Sequence, residues 1–106
     1  MSELVKICSA ADLTEAEPLR VVLDGFPPLA VYCVGGAYYV TDDTCTHGMA
    51  SLADGYQEGE EIECPYHGGG FNIKNGEPTS FPCTEAIKTY TVVEQGGNIC
   101  IQSKAD

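Results

Sequence analysis

The placement of the two histidines beside two of the cysteines constrains this chain more than any other feature. The 106-residue sequence contains two histidines in total. One lies in Cys45-Thr46-His47 and the other in Cys64-Pro65-Tyr66-His67. Because sixteen residues separate His47 from Cys64, the two segments can form separate loops. The fold is therefore expected to bring two loops, each with one thiol and one imidazole, to a common site.

This set of side chains has two interpretations, an iron–sulfur cluster and a zinc site. A [2Fe–2S] centre of the Rieske type places two cysteines on one iron and two histidines on the other, and C-x-H…C-x-x-H resembles the Rieske motif. Zinc also binds two Cys and two His, but zinc sequences usually pair Cys with Cys and His with His. The alternation favours one [2Fe–2S] cluster per chain, with Cys45, His47, Cys64 and His67 as ligands, over a structural zinc-binding module.

Charge and hydropathy restrict the partners and the compartment. The net charge of −11, from 16 acidic and 5 basic residues, argues against nucleic acid, because phosphate binding needs a basic face. An acidic surface suits transient docking on basic protein partners. The chain has no apolar run long enough to span a membrane, and Met1–Lys6 lacks a signal-peptide pattern. We therefore expect a cytoplasmic protein without a membrane partner, and nothing requires more than a monomer.

The other four cysteines are expected to be reduced thiols. Six cysteines in a short chain could indicate a disulfide framework. However, Cys8, Cys33 and Cys100 lie in apolar, strand-like runs, where a buried thiol behaves as a small hydrophobic group. Because cytoplasmic thiols stay reduced by default, we expect no disulfide.

Short β-rich runs separated by turns predict an all-β protein. The predicted strands are Glu3–Cys8, Leu19–Leu23, Leu29–Val34, Ala37–Thr41, Glu61–Cys64, Phe71–Lys74, Ile87–Glu94 and Ile99–Gln102. Turns are predicted at Gly35-Gly36 and at Gly96-Gly97, and Asn75-Gly76 indicates a type I′ hairpin. The pattern favours an antiparallel β-sandwich or incomplete barrel base at 1–41 and 83–106. A small β cluster-binding subdomain is inserted at about 42–82.

Segments along most of the chain resemble the Rieske ferredoxins of bacterial aromatic-ring-hydroxylating dioxygenase systems. They are Cys45-Thr46-His47-Gly48, Leu52-Ala53-Asp54-Gly55, Ile62-Glu63-Cys64-Pro65-Tyr66-His67, Asn75-Gly76, Pro82 and Ile87-Lys88-Thr89-Tyr90. The resemblance implies a Rieske fold and a one-electron carrier that is not itself an enzyme. Electrons would pass from NADH through a flavoprotein ferredoxin reductase to this chain, and then to a terminal oxygenase with Rieske and non-haem iron centres. It also implies that Pro82 belongs to a loop covering the cluster, with Cys83 near the cluster but not a ligand.

The chain differs from the respiratory Rieske pattern at four positions. Ala50 and Tyr66 stand where that pattern has cysteines, so the disulfide between the ligand loops cannot form. Gly69 and Phe71 stand where it has a serine and a tyrosine, whose hydroxyls donate to cluster and cysteine sulfur. Because such hydrogen bonds raise the reduction potential, we expect a potential near the low end of the Rieske range, roughly −150 mV.

Two further functional classes are less consistent with the sequence. A terminal oxygenase also needs a mononuclear iron held by two His and a carboxylate, and no histidine remains for it once His47 and His67 hold the cluster. A small Rieske-like subunit of an assimilatory nitrite reductase often lacks the cluster ligands, whereas all four are present here. That subunit and the zinc-binding module are kept as alternatives.

Overall fold

The chain forms short strands joined by tight turns in a computed structural model that describes residues 4–46, 50–65, 68–81 and 83–102. Two single-turn 3₁₀ helices lie within these ranges, at Ala10–Asp12 and Leu52–Asp54. The strands are β1 (Leu4–Ser9), β2 (Leu19–Val21), β3 (Leu29–Val34), β4 (Ala37–Asp42), β5 (Tyr56–Glu58), β6 (Glu61–Glu63), β7 (Gly70–Asn72), β8 (Pro78–Ser80), β9 (Thr89–Tyr90), β10 (Val92–Gln95) and β11 (Asn98–Gln102).

These strands form three antiparallel sheets. The first has the order β1-β11-β10, the second β2-β3-β4-β9 and the third β5-β6-β7-β8. The all-β, antiparallel architecture predicted from the sequence is confirmed. The third sheet uses consecutive strands from Tyr56 to Ser80. The proposed division into a base at 1–41 and 83–106 and a subdomain at 42–82 remains a prediction.

Strand β3 lies between two hydrophobic cores that the described residues form. Successive side chains of a strand point to opposite faces, and Leu29 and Val31 pack in one core with residues of β1, β4 and β11. Ala30 and Tyr32 pack in the other core with Ile62 and other residues of the third sheet. All four of these β3 side chains are fully buried. The second sheet is therefore covered at β3 by the first sheet on one face and by the third sheet on the other.

A buried hydrogen bond lies on the face of β3 that packs against the third sheet. The Thr41 hydroxyl donates to the Asp42 carbonyl at 2.8 Å, so its oxygen accepts from the Tyr32 hydroxyl at 2.9 Å. Both side chains are 0% exposed. Because an unpaired buried hydroxyl is costly, this pair lets a tyrosine fill the core between the sheets.

Several sequence predictions of turns and strands agree with the structure. The hairpin turns at Gly35-Gly36 and Gly96-Gly97 are present, and all four glycines have positive φ values between 57° and 85°. The bounds of β3 match the prediction, and those of β1, β4 and β11 differ from it by a residue or so.

The prediction of a type I′ turn at Asn75-Gly76 is wrong. A type I′ turn needs positive φ at both central residues, and Gly76 has it but Asn75 does not. Instead, five residues connect β7 to β8. The Asn72 carbonyl accepts from the Gly76 N–H at 2.7 Å, and the Asn72 side chain accepts from the Lys74 N–H at 2.8 Å. The Asn75 side chain also accepts from the Glu77 N–H at 2.9 Å, so both asparagine side chains stabilise this longer turn.

One strand prediction is wrong, and two strands were not predicted. The run Ile87–Glu94 does not form one strand, because it is interrupted at Thr91 and contributes β9 to the second sheet and β10 to the first. The short strands β5 and β8 of the third sheet were not predicted. Their residues, Tyr56-Gln57-Glu58 and Pro78-Thr79-Ser80, are mostly polar and form no apolar β-rich run.

The cysteines outside the proposed ligand set are all described, and they form no disulfide with one another, as expected. Cys8 and Cys100 are buried and Cys33 is half-buried. Burial raises the pKa of the Cys8 thiol to about 11, which keeps that thiol protonated at neutral pH. Within the described ranges, no helix is long and apolar enough to cross a lipid bilayer.

Candidate metal centre

The first loop of the site begins where β4 ends. The chain leaves β4 at Asp42 and returns at Ser51, and an isolated bridge joins Thr44 to Ser51 across the base of the loop. Inside that bridge, the Cys45 N–H donates to the Ala50 carbonyl at 3.0 Å. Cys45 is 3% exposed, so its thiol points into the protein. The bridge and this hydrogen bond together close the loop.

Asp43 fastens the base of this first loop. Its carboxylate is 2% exposed and accepts from the Ser51 hydroxyl at 2.6 Å and from the Ala53 N–H at 2.9 Å. The same group accepts from Arg20 Nε at 3.1 Å. Its backbone N–H also donates to the Pro28 carbonyl at 2.9 Å. A buried charge is stable only when it is paired and hydrogen-bonded, and these contacts join the outgoing and returning segments of the loop.

The second loop is closed in the same way as the first. It begins after β6, where the Cys64 N–H donates to the Gly69 carbonyl at 2.6 Å, and β7 starts at Gly70. The backbone N–H of each cysteine therefore donates to the carbonyl of the residue five positions further along the chain. Cys64 is 2% exposed, and both cysteines belong to the core between the second and third sheets. The two halves of the sequence motif thus form two loops of equal size.

A third segment completes the buried part of the site. The Cys83 N–H donates to the Ser80 carbonyl at 3.1 Å, and Cys83 Sγ lies 3.8 Å from Cys45 Sγ. The Thr46 hydroxyl donates to the Glu85 carbonyl at 2.9 Å, which ties the first loop to this segment. Burial, followed by contact with Cys45, raises the pKa of the Cys83 thiol. The expectation that Cys83 lies beside the ligand loops agrees with this geometry.

The sheet that carries the second loop is strongly acidic. Strands β5 and β6 and the turn between them contain Glu58, Glu60, Glu61 and Glu63. Glu61 accepts hydrogen bonds from the hydroxyls of Thr79 and Ser80, and Glu60 pairs with an exposed lysine at 3.6 Å. The adjoining second loop therefore lies beside a surface of concentrated negative charge.

The structure brings some of the predicted site residues together and does not describe others. Cys45 and Cys64 share one buried core, but His47 and His67 lie outside the described residues, as do Tyr66 and Pro82. The chemistry of the donor set fits a [2Fe–2S] cluster. Two buried thiols stand at the bases of matched loops, and the sequence places one histidine two residues after the first thiol and the other three residues after the second. Thiolate and imidazole are the ligands that such a cluster uses.

The family of the chain follows from the fold, the two loops and a match to a known domain. Residues 3–91 match the Rieske [2Fe–2S] domain, and the chain belongs to the Rieske family. Its cofactor is a [2Fe–2S] cluster of the Rieske type, as the sequence predicted. The domain match covers most of the 106 residues.

Three similar proteins indicate which kind of Rieske protein this chain resembles. The ferredoxin CarAc of Metapseudomonas resinovorans is 45% identical over 97 residues, which are 92% of this chain and 91% of that protein. The structure of the Sphingomonas yanoikuyae B1 ferredoxin has a TM-score of 0.94 and 46% identity, covering 96% of this chain and all of that one. A ferredoxin from a complex of reduced oxygenase and oxidised ferredoxin in carbazole 1,9a-dioxygenase has a TM-score of 0.90 and 43% identity, covering 97% and 95%. The predicted resemblance to ferredoxins of dioxygenase systems is confirmed.

Sequence reasoning missed the contribution of Asp43. Its position before the first loop gave no sign of burial, because Asp42 and Asp43 are adjacent and the chain is acidic throughout. One of the three donors to its carboxylate, Arg20, is 23 positions away in sequence. Only the pairing of β2 with β3 and of β3 with β4 brings these residues together.

Proposed function

We propose that this protein is a one-electron carrier of an aromatic-ring dioxygenase system and that Cys45, His47, Cys64 and His67 bind its cluster. The carrier receives electrons from NADH through a flavoprotein ferredoxin reductase and passes them to a terminal oxygenase. The observation that carries the proposal is the matched pair of closed loops with buried Cys45 and Cys64 thiols. Ferredoxins of similar sequence and structure, one of them in a complex with an oxygenase, support it.

The protein residues supply binding, exclusion of water and electrostatics. When bound, a [2Fe–2S] cluster supplies one-electron redox chemistry. Buried thiolates shield one side of such a centre, and the acidic third sheet favours the oxidised state. Hydroxyl donors to sulfur are lacking at Gly69 and Phe71. Both features support a reduction potential of roughly −150 mV, at the low end of the Rieske range.

The location and assembly state are part of the same proposal. The reduced thiols of Cys8, Cys33 and Cys100 are consistent with the cytoplasm, where disulfides are rare. A monomer suffices, because one chain provides all four proposed ligands. The alternatives, a nitrite reductase subunit and a zinc-binding module, are not favoured by the similarity to dioxygenase ferredoxins.

Substitution of the proposed ligands tests their assignment. Cys64→Ser and His67→Ala should each abolish the cluster or alter its absorption and EPR spectra. Cys100→Ser is the matched control, because Cys100 is a buried cysteine in β11 and should leave both spectra unchanged. A native Rieske spectrum in His67→Ala would contradict the ligand assignment.

Anaerobic electron transfer tests the role. NADH should reduce the cluster only when a flavoprotein ferredoxin reductase is present. The reduced protein should then transfer one electron per cluster to an oxidised terminal oxygenase. A loaded protein that exchanges electrons with neither component, at concentrations where the system's own ferredoxin does, would contradict the proposed role.

A further inference from the structure

The site contains a cysteine that the proposed ligand set does not use. The 3.8 Å between Cys83 Sγ and Cys45 Sγ is a hydrogen-bond distance for two sulfur atoms. Cys83 is 5% exposed, and its N–H is held by the Ser80 carbonyl at the end of β8. The first loop is also fixed relative to this segment, because the Thr46 hydroxyl donates to the Glu85 carbonyl. Hydrogen bonds on both sides therefore maintain the contact between the two sulfur atoms.

The direction of this hydrogen bond follows from the roles of the two cysteines. A metal-bound cysteine is a thiolate, which has lone pairs but no proton to donate. Cys83 is not among the proposed ligands, so it keeps a thiol proton, and the sulfur of Cys45 is an acceptor at hydrogen-bond distance. We propose that the Cys83 thiol donates a hydrogen bond to the Cys45 thiolate and thereby raises the reduction potential of the cluster. This inference rests on the ligand role of Cys45 in the proposed function.

The physical reason lies in the charge of the reduced state. Reduction adds a negative charge that is shared with the ligand sulfurs, so a donor to sulfur binds the reduced state more strongly than the oxidised state. A thiol is a weak donor, and its effect is smaller than that of a hydroxyl. Gly69 and Phe71 provide no hydroxyl at the second loop. Cys83 therefore adds a side-chain donor to the Cys45 sulfur, and it acts on the cluster through that ligand without binding iron itself.

Four cluster-loaded variants test this role, with the potential measured by EPR-monitored redox titration. Cys83→Ala removes the donor, Cys83→Val removes it while leaving less of a cavity, and Cys83→Ser replaces it with a hydroxyl. Cys100→Ala is the matched control, because Cys100 is also 5% exposed but lies in β11. Exchangeable-proton couplings in the EPR of the reduced cluster, compared in H₂O and D₂O, supply a second readout.

Cys83→Ala and Cys83→Val should lower the reduction equilibrium constant by about three- to tenfold. This change is about 30 to 60 mV, since a factor of ten is 59 mV for one electron. Both variants should lose one exchangeable coupling. Cys83→Ser should keep the coupling and have a potential at or above that of the wild type, and Cys100→Ala should match the wild type in both respects. If Cys83→Ala does not take up the cluster, Cys83→Val provides the comparison.

Three results would overturn the inference. They are an unchanged potential in the donor-free variants, an equal shift in Cys100→Ala, and g values that change as they would on loss of a ligand. Failure of the proposed function is distinguishable, because in that case the wild-type protein would itself lack a Rieske signal. A loaded wild type with Cys83 variants of unchanged potential would refute only the hydrogen bond.

Discussion

Replacement of Asp43 is the perturbation whose magnitude the structure defines best. The carboxylate is 2% exposed and accepts from the Ser51 hydroxyl, the Ala53 N–H and Arg20 Nε. A hydrogen bond to a charged group contributes about 1.5–3 kcal/mol. Loss of one partner of a buried ion pair costs about 3–5 kcal/mol when the other charge stays buried. Because the Arg20 side chain is 54% exposed and can be rehydrated, we expect Asp43→Ala to cost about 3–4 kcal/mol.

The same geometry predicts an asymmetry between the two members of the pair. Arg20→Ala should cost at most about 1 kcal/mol, because exposed ion-pair partners contribute little and Asp43 keeps its other two donors. For 106 residues, at about 2.1 cal/mol/K per residue, a 3 kcal/mol loss lowers the melting temperature by about 13 °C. Asp43→Ala should also lose its cluster faster, since the base of the first loop is no longer fastened. Asp24→Ala is the control, because Asp24 is an exposed aspartate in the turn after β2.

Urea titration followed by circular dichroism and by cluster absorbance measures both effects on the loaded proteins. We expect the midpoints to fall in the order wild type, Arg20→Ala, Asp43→Ala, with Asp24→Ala equal to wild type. Equal losses for Arg20→Ala and Asp43→Ala would refute the account, because they would show that the ion pair, rather than the hydrogen bonds closing the loop, provides the stability.

The remaining predictions concern backbone space, potential and pH. Gly55→Ala should lower the free energy of unfolding by about 3 kcal/mol, because its Cβ would overlap a backbone carbonyl of β6. Gly59→Ala has open space around its Cβ and should lose about 1–2 kcal/mol, because Gly59 has a φ of +60°. The midpoints of urea unfolding distinguish the two variants. The double variant Gly69→Ser/Phe71→Tyr should raise the reduction potential through new donors to sulfur, and an unchanged potential would contradict the role given to these hydroxyls. Tyr90→Phe should cost about 1–2 kcal/mol, because the hydroxyl donates to a carboxylate of β4 at 2.6 Å. Burial, and then this hydrogen bond, raise the pKa of Tyr90. The free energy of unfolding that Tyr90 adds relative to Phe should therefore be complete below about pH 10 and should decrease above it. A difference in free energy that stays constant up to pH 11 would contradict this.

The parts of the fold that are encoded locally could be predicted from the sequence. Strand β3 was predicted because six consecutive residues are β-rich and end at the Gly35-Gly36 turn. The loops around Cys45 and Cys64 were predicted because ligand chemistry restricts the spacing of thiols and imidazoles. In both cases a few adjacent residues determine the structure.

The parts that depend on contacts between distant residues could not be predicted. The division of Ile87–Glu94 between two sheets depends on Val40 pairing with Tyr90 and on Ile101 pairing with Val92. The contact of Arg20 with Asp43 spans 23 positions in sequence. Tertiary pairing decides such features, and a single sequence contains no local sign of it.

An EPR-monitored redox titration of the purified protein tests the central claim most directly. We expect a rhombic Rieske signal, with an average g value below 2, that appears only at a low potential of roughly −150 mV. The same signal at a clearly positive potential would contradict the role of a low-potential carrier feeding an oxygenase. A protein that contains zinc and gives no signal would contradict the cluster assignment itself.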